Sequence, residues 1–279
     1  MRWIARQYEW TFPRPTLLMG IVNVTPDSFS DGGRFLDPER AVDHALQLAA
    51  EGADLLDIGG ESTRPGAPAV PPEEELRRVL PVIERLAHRT RLPLSIDTRK
   101  AGVAEAALAA GAALINDVGA AQNDPAMRAL VARSGAGYVC MHMLGSPETM
   151  QDAPRYADVV GDVRRFLDRE LRRLAQAGVA LEQVAVDVGI GFGKTLEHNL
   201  SLLGNLECFT SLQRPVLLGA SRKSFISKVL NVGLEERLTG SIACAAWAVC
   251  RGVQILRVHD VAATRQAVRM IEAVRNRAG

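Results

Sequence analysis

The chain has 279 residues, and its 47% hydrophobic content excludes a disordered protein and allows a large buried core. The 33 basic and 32 acidic residues leave a net charge of +1, which gives no electrostatic reason to expect a nucleic-acid or acidic-membrane partner. The apolar runs fall far short of the roughly 20 residues of a membrane span, and the first residues lack a signal-peptide pattern, so we expect a cytoplasmic protein.

Residues 1–15 precede the first apolar run and are predicted to form a short N-terminal extension. From there on, short runs rich in valine, isoleucine and leucine alternate with longer amphipathic stretches. Such runs are typical of parallel strands that are buried on both faces. The predicted strands are 17–24, 53–59, 92–97, 113–118, 137–142, 184–189, 215–220 and 253–259.

Helical periodicity is clear between these strands. Residues 38–52 carry Pro38 in a plausible first turn and Gly52 after the last one, and residues 71–89 and 164–178 repeat the 3.6-residue spacing. Eight strand–helix units without a linker predict one domain over 1–279, a (β/α)8 TIM barrel. A doubly wound open sheet is the alternative.

Two regions are longer than a minimal barrel needs. Residues 143–156 are predicted to form a long loop after the fifth strand, and residues 224–251 carry more helix than one crossover requires. Within the second region, "IACAAWAVC" is apolar all round, which predicts a buried helix with Trp247 in the core. That helix could pack on the barrel or lie at a subunit interface.

Four cysteines are present, and no two of them form a C-x-x-C pair. A chain of this length does not need disulfide bonds for stability. We therefore predict reduced, small buried side chains at Cys140, Cys208, Cys244 and Cys250.

Polar side chains end nearly every predicted strand, which is unusual for a purely structural pattern. In a barrel these ends meet at one face, where active sites lie. For single residues such as Asp57, Glu61 or Asp117, a structural role in a cap or turn is an ordinary explanation. The strand-end residues are Asn23, Asp57 with Glu61, Asp97, Asn116, His142, Asp187, Ser221 with Lys223, and Arg257 with His259.

These residues divide into two chemical groups. Asp97, Asn116 and Asp187 offer acceptors for a flat ring with adjacent N–H donors, such as an aminopyrimidine edge, and Lys223 offers a donor for a ring carbonyl. Arg257 and His259 lie two apart on the last strand and point the same way, which suits a phosphate.

The sequence does not favour a tight metal site. It has no histidine pair at helical spacing and no cysteine cluster, so zinc is not expected. An oxygen ligand such as Asn23 could instead hold Mg²⁺ together with a substrate pyrophosphate.

Glycine-rich loops follow three of the predicted strands. "SFSDGGRF" and "GGESTRPGAPAVPP" are predicted to be surface loops that close over a site. "GIGFGK", residues 189–194, lacks the spacing of a nucleotide-binding phosphate loop. We expect it to let the backbone approach a flat ligand, with Phe192 against the ring.

Seven stretches resemble the dihydropteroate synthases of folate biosynthesis. They follow in family order from residue 19 to 261 and cover seven of the eight strand ends. The stretches are "MGIVNVTPDSFSDGG", "DIGGESTRPGA", "SIDTRK", "INDV", "GIGFGKTLEHN", "GASRKSF" and "RVHDV".

The resemblance implies a TIM barrel that condenses dihydropterin-hydroxymethyl pyrophosphate with p-aminobenzoate, with Mg²⁺ as cofactor, and it implies a homodimer. Residues Asp97, Asn116, Asp187 and Lys223 would bind the pterin, with Met141, Gly191, Phe192 and Gly219 nearby. Residues Asn23, Thr63, Arg257 and His259 would bind pyrophosphate, and Asn23 would reach the metal. Residues Phe29, Arg64, Pro65, Lys223 and Ser224 would border the p-aminobenzoate site.

The implied mechanism is dissociative, with Asp97, Lys223, Arg257 and His259 as the catalytic residues. Asp97 would recognise the pterin ring and stabilise the cation-like methylene after pyrophosphate departs. The sequence departs from the family pattern at Leu144, where glutamine is usual, and at Val188, where proline is usual. Two other readings remain, a methyltetrahydrofolate–corrinoid methyltransferase and a non-catalytic pterin-binding module.

Overall fold

The protein is described by a computed structural model over residues 1–25, 37–122 and 124–277. The strands in these ranges are β1 Arg2–Ala5, β2 Tyr8–Thr11, β3 Leu17–Asn23, β4 Leu55–Gly59, β5 Leu94–Asp97, β6 Leu114–Asp117, β7 Gly137–Met141, β8 Val184–Asp187, β9 Val216–Leu218 and β10 Ile255–Val258. Strands β3 to β10 pair in parallel and in chain order, and β10 closes the barrel against β3. This closure confirms the predicted barrel and excludes an open sheet.

Helices cover the outside of the barrel. They are α1 Pro38–Ala50, α2 Pro72–Arg89, α3 Ala101–Ala109, α4 Ala126–Ser134, α5 Val159–Gln176, α6 Leu196–Gly204, α7 Glu207–Thr210, α8 Ser224–Leu230, α9 Leu238–Cys250 and α10 Val261–Arg275. Pro38 begins α1, Asp37 caps it by accepting from the Glu39 N–H at 2.9 Å, and Gly52 follows with φ of +103°. The predicted start and end signals of this helix are confirmed.

Each of the eight predicted apolar runs contains one barrel strand, although most runs extend a residue or two beyond it. At the carboxyl end of a run, the overshoot includes residues where the backbone has already turned away from the barrel. Gly189, the last residue of the run 184–189, lies two residues after β8 and has φ of +68°, a left-handed conformation that none of the described strands contains. The predictions for the two long regions are also confirmed. Residues 143–156 form a loop with short turns, and the crossover from β9 to β10 contains both α8 and α9.

The N-terminal extension is an antiparallel hairpin of β1 and β2 that closes one end of the barrel. Trp3, Trp10 and Phe12 are buried against side chains at the amino ends of the strands, such as Leu55 and Ile255. The indole N–H of Trp3 donates to the Gln183 carbonyl at 3.0 Å. Because the hairpin fills this end with apolar side chains, the opposite end is the one open to a ligand.

The prediction of a buried helix at "IACAAWAVC" is wrong for one of its faces. Trp247 in α9 is 42% exposed, with its indole N–H donating to the Leu203 carbonyl at 2.8 Å, while Ala248 is buried. Cys250 is also exposed, so only Cys140 among the four free cysteines is fully buried as predicted. One side of α9 packs on the protein and the other faces outward. Among the described residues, no helix has the length and apolar character to cross a bilayer.

Candidate active site

Six residues at or near the strand ends face the barrel interior, because each lies two positions after an apolar interior residue. Side chains two apart on a strand point to the same face. The pairs are Leu55 with Asp57, Leu114 with Asn116, Val139 with Met141, Ala185 with Asp187, Leu217 with Gly219 and Ile255 with Arg257. The first residues of these pairs pack against the β1–β2 hairpin. The second residues form the next layer, at the carboxyl ends of the strands, and we call this layer the polar floor.

Arg257 lies at the centre of this floor and pairs with two carboxylates. Its Nε donates to Asp57 at 2.6 Å, and its Nη2 donates to Asp97 at 2.7 Å. Asn116 donates to the same Asp57 oxygen at 2.9 Å. The guanidinium therefore organises carboxylates from β4 and β5 here, and its predicted contact with pyrophosphate stays a prediction.

The two carboxyl groups that were predicted to recognise a ring have unusual acidities. Burial raises the pKa of Asp97 to about 7, partly opposed by the charge of Arg257. Burial also raises the pKa of Asp187, while Lys223 and a 2.7 Å hydrogen bond from the Gly189 N–H oppose this shift. Perturbed carboxyl groups inside a barrel mouth are typical of functional sites.

Lys223 lies beside Asp187 on the other side of the mouth. Its ammonium donates to the Ile190 carbonyl and lies 4.5 Å from the centre of the Phe192 ring. Burial lowers the pKa of Lys223 to about 8, although Asp187 opposes this change. A side chain at Gly191 would crowd this lysine, because an added Cβ would lie 3.3 Å from its Cδ.

An apolar wall borders the ammonium of Lys223. Phe192 packs with Val118, Met141 and Met150 in a small buried cluster. Gly219 lies across from this wall, where an added Cβ would be 3.8 Å from Arg257 and 4.0 Å from Lys223 Nζ. The mouth thus offers acceptors on one side and a flat apolar surface beside a cation on the other, which suits a polar planar ring.

His259 follows β10 at the rim and is held by Ser221. The Ser221 hydroxyl accepts from the His259 backbone N–H at 3.2 Å and lies 3.0 Å from its Nδ1. Burial and the neighbouring Arg257 lower the pKa of His259 to about 4, so the ring is neutral near pH 7. Since the hydroxyl hydrogen is free to donate to Nδ1, we assign the ring proton to Nε2, which becomes a hydrogen-bond donor.

The remaining predicted residues lie at the rim. Asn23 ends β3 and is half-buried, and Thr63 is half-buried in the loop after β4. Arg64 and Pro65 are exposed in the same loop, and Ser224 is exposed at the first position of α8. The whole "SFSDGGRF" loop, residues 28–35 with Phe29, lies outside the described residues.

Several charged strand-end residues have structural partners instead. Glu61 accepts from the Val70 N–H at 2.9 Å and from Lys100 at 3.0 Å, which brackets the base of the 62–69 loop. Asp117 accepts from two backbone N–H groups of its own turn and from the Tyr138 hydroxyl at 2.8 Å. These contacts agree with a structural role for Glu61 and Asp117 in loops and turns. Lys100 pairs with Glu61 at the base of the 62–69 loop and has no role in the proposed reaction.

Sequence reasoning underrated Asp57 and missed a buried pair, Lys194 and His142. Asp57 had the same signal as Asp97, a carboxylate near the end of a buried strand, but its partner is 200 positions away at Arg257. Lys194 was considered only as part of a phosphate loop. Its ammonium is in fact enclosed, 3.0 Å from His142 Nδ1.

Metal ligands are sparse in the described residues. Within 1–25, 37–122 and 124–277, no group of three or more histidine, cysteine, aspartate or glutamate side chains could hold an ion. Asn23, at the end of β3, is the amide side chain that was predicted to reach a metal. A single ligand of this kind is compatible with Mg²⁺, which keeps several waters and substrate phosphates as ligands, and it is incompatible with a tight all-protein site.

Comparison with known proteins now defines the class. Residues 19–259 match the family of pterin binding enzymes, which covers most of the chain. The protein is therefore a pterin-binding TIM-barrel enzyme.

Individual relatives narrow the class further. The dihydropteroate synthase of Escherichia coli K12 is 48% identical over 256 residues, which cover 92% of this chain and 90% of the relative. A Xanthomonas albilineans dihydropteroate synthase with 4-aminobenzoic acid has a TM-score of 0.92 and 50% identity, covering 98% of each chain. The enzyme of that organism with 7,8-dihydropteroate has a TM-score of 0.89, 47% identity and 99% coverage of each chain. The chain belongs to the dihydropteroate synthase family, and the protein is a transferase.

Proposed function

We propose that the protein condenses 6-hydroxymethyl-7,8-dihydropterin pyrophosphate with p-aminobenzoate to give 7,8-dihydropteroate and pyrophosphate. The observation that carries this proposal is the polar floor of the barrel, where Asp97, Asn116 and Asp187 lie together with Lys223, the cation beside Asp187. Bound 4-aminobenzoic acid and 7,8-dihydropteroate in structures of the Xanthomonas relatives support these two compounds as substrate and product.

Recognition of the pterin follows from the donors and acceptors of the mouth. The carboxylate of Asp187 accepts from the aminopyrimidine N–H groups, and the ammonium of Lys223 donates to the ring carbonyl. The Phe192 ring and Met141 cover a face of the bicycle. Asp97 and Asn116 accept from the remaining N–H groups, so each polar edge of the pterin finds a partner.

Residues at the rim of the mouth bind the pyrophosphate as it departs. The Nε2–H of neutral His259 donates to a phosphate oxygen, and Thr63 and Asn23 add polar contacts. Arg257 supplies positive charge from below while it fixes Asp57 and Asp97. Asn23 would hold Mg²⁺ together with the substrate, and the ion would then supply charge neutralisation.

The bond between the pterin methylene and pyrophosphate breaks before the new C–N bond forms. Asp97 stabilises the cation-like methylene, and the neutral arylamine attacks it from a site bordered by Arg64, Pro65, Lys223 and Ser224. The arylamine loses a proton after attack, so the step needs no activated protein nucleophile.

A pyrophosphate-release assay tests the proposed function. Purified protein is expected to release pyrophosphate only when dihydropterin pyrophosphate, p-aminobenzoate and Mg²⁺ are all present, with dihydropteroate formed in equal amount. Each omission serves as a control. Tight pterin binding without any product under these conditions would support the binding-module reading and overturn the synthase.

Pterin affinity is expected to depend on pH with a maximum between about pH 7 and 8. Burial raises the pKa of Asp97 to about 7, so below that pH its carboxyl is protonated and accepts fewer hydrogen bonds. Burial lowers the pKa of Lys223 to about 8, so above that pH its charge is lost. Calorimetric titrations between about pH 5 and 10 measure both limbs.

The variant Asp97→Asn is the control for this profile. It should bind more weakly throughout and lose the acid limb, because its amide does not titrate. An unchanged acid limb in Asp97→Asn would assign that limb to Asp187 and contradict the prediction.

We further propose that the protein is a homodimer through the outer face of α9 and α10. These helices pack together and expose Trp247, Met270 and Val274, of which the last two lie one turn apart on α10. Sedimentation equilibrium is expected to give a two-chain mass for the wild type and a one-chain mass for Val274→Glu. A monomeric wild type at micromolar concentration would refute the proposal.

A further inference from the structure

Lys194 is a buried lysine that joins two loops at the edge of the mouth. It is only 3% exposed, and its ammonium donates to the carbonyls of Gly189 at 2.8 Å and Phe192 at 2.9 Å. The same nitrogen lies 3.0 Å from His142 Nδ1, in the segment that follows β7. One ammonium group thus holds the loop 189–193 against its neighbour.

The partner histidine is neutral. Burial, and after it the charge of Lys194, lowers the pKa of His142 to about 2, so Nδ1 is free to accept a hydrogen bond. Burial lowers the pKa of Lys194 well below its usual value, while the carboxylate of Asp187 opposes this shift. Besides the two loop carbonyls and His142 Nδ1, the His142 carbonyl oxygen lies 3.4 Å from the lysine nitrogen, so the lysine has hydrogen-bond partners without a contacting carboxylate.

The loop that Lys194 holds depends on side chains outside its own backbone. The Asn199 amide oxygen accepts from the Gly191 N–H at 2.7 Å, the Tyr156 hydroxyl donates to the Gly193 carbonyl at 2.9 Å, and Lys194 donates to two further carbonyls. Gly189, Gly191 and Gly193 have φ values of +68°, +84° and +64°, and glycine adopts this conformation at a high entropic cost. A Cβ at Gly189 would lie 1.9 Å from the His142 carbonyl oxygen, so the two loops approach too closely for any side chain there. The sequence that permits the close turn therefore needs another group to hold it.

Lys194 and Lys223 donate hydrogen bonds to different carbonyl groups of this loop. Lys194 donates to the carbonyls of Gly189 and Phe192. Lys223 donates to the carbonyl of Ile190, and its ammonium lies over the Phe192 ring. Movement of the loop would displace both the aromatic wall and the carbonyl that orients Lys223.

We propose that Lys194 is a positioning residue for the pterin site, because its ammonium fixes the loop that presents Phe192 and the Ile190 carbonyl to Lys223. The inference rests on the proposed function, since it assumes that the pterin lies against Phe192 and Lys223. Lys194 itself touches no substrate atom and acts through the loop.

The test compares Lys194→Met with a matched control, Gln183→Met. Gln183 is also buried, and its amide donates to the carbonyls of Val131 and Ala136 near the closed end of the barrel. Both changes replace a buried donor with an apolar side chain of similar length, so both are expected to lower the melting temperature. Lys194→Met is expected to raise the Kd of dihydropterin pyrophosphate about tenfold or more, and Gln183→Met less than about twofold.

A second readout reports on the loop directly. In protein labelled with fluorophenylalanine, the ¹⁹F signal of Phe192, assigned with Phe192→Leu, should shift or broaden in Lys194→Met and stay in place in Gln183→Met. Should the methionine variant fail to fold, Lys194→Gln is measured in the same way, with weaker pterin binding again expected.

The outcomes separate this inference from the function on which it rests. Wild-type affinity and an unchanged Phe192 signal in the Lys194 variant would overturn the inference and leave the proposed function intact. Equal losses in both variants would show a general stability effect and also overturn it. A wild type that does not bind the pterin would instead reject the proposed function.

Discussion

Replacing Lys223 with alanine is expected to weaken the binding of dihydropterin pyrophosphate by about 10- to 100-fold. The change removes the cation beside Asp187 and over Phe192, and a hydrogen bond from a charged group is worth about 1.5–3 kcal/mol. Isothermal titration calorimetry near pH 7.5 measures the loss, since both limbs of the expected pH profile are then small.

Two further variants complete this experiment. Lys228→Ala removes an exposed lysine from α8, the helix that directly follows Lys223, and should leave the affinity within about twofold. Asp187→Ala should weaken binding as strongly as Lys223→Ala, because it removes the acceptor for the aminopyrimidine. Unchanged affinity in both Lys223→Ala and Asp187→Ala would refute the placement of the pterin pocket.

Replacing Arg257 with methionine is expected to lower the free energy of unfolding by about 3–5 kcal/mol and to abolish activity. The loss would leave Asp57, which is fully buried, without the guanidinium that pairs with it at 2.6 Å. Urea denaturation measures the stability, and the pyrophosphate-release assay measures the activity.

The matched control is an exposed ion pair. Arg133→Met breaks the contact with Glu105, whose side chain is 61% exposed, and should cost less than about 1 kcal/mol. The double variant Arg257→Met/Asp57→Asn should regain part of the lost stability, because its second change removes the uncompensated charge. A loss for Arg257→Met as small as that for Arg133→Met would contradict the role of this guanidinium.

Much of the architecture was predictable from the chain alone, for local reasons. The helix period of 3.6 residues is visible within single segments, and parallel strands buried on both faces leave continuous apolar runs. The run 92–97 therefore contains β5, and the stretch 38–52 contains α1. The strand-end motifs were sufficient to indicate the family, since motif order along the chain does not depend on tertiary contacts.

The predicted helix around Trp247 shows where such reasoning stops. Uniformly apolar sequence predicted burial on all sides, but one face of α9 is open in the single chain. Apolarity states a preference for burial and does not say whether the covering surface belongs to the same chain.

The local sequence also established which groups enter the barrel, because Asp57, Asp97, Asp187 and Arg257 sit at known positions in their strands. It did not establish their partners. Arg257 meets carboxylates 160 and 200 positions earlier, and those contacts exist because β10 closes on β3 and brings the strand ends into one layer. Burial then sets the acidities, since the desolvation that raises the pKa of Asp97 depends on everything packed around it. Composition and residue spacing could thus indicate which chemical groups line the mouth. Closure of the barrel decided which of these charged groups pair and that Lys194 is the lysine enclosed in the protein.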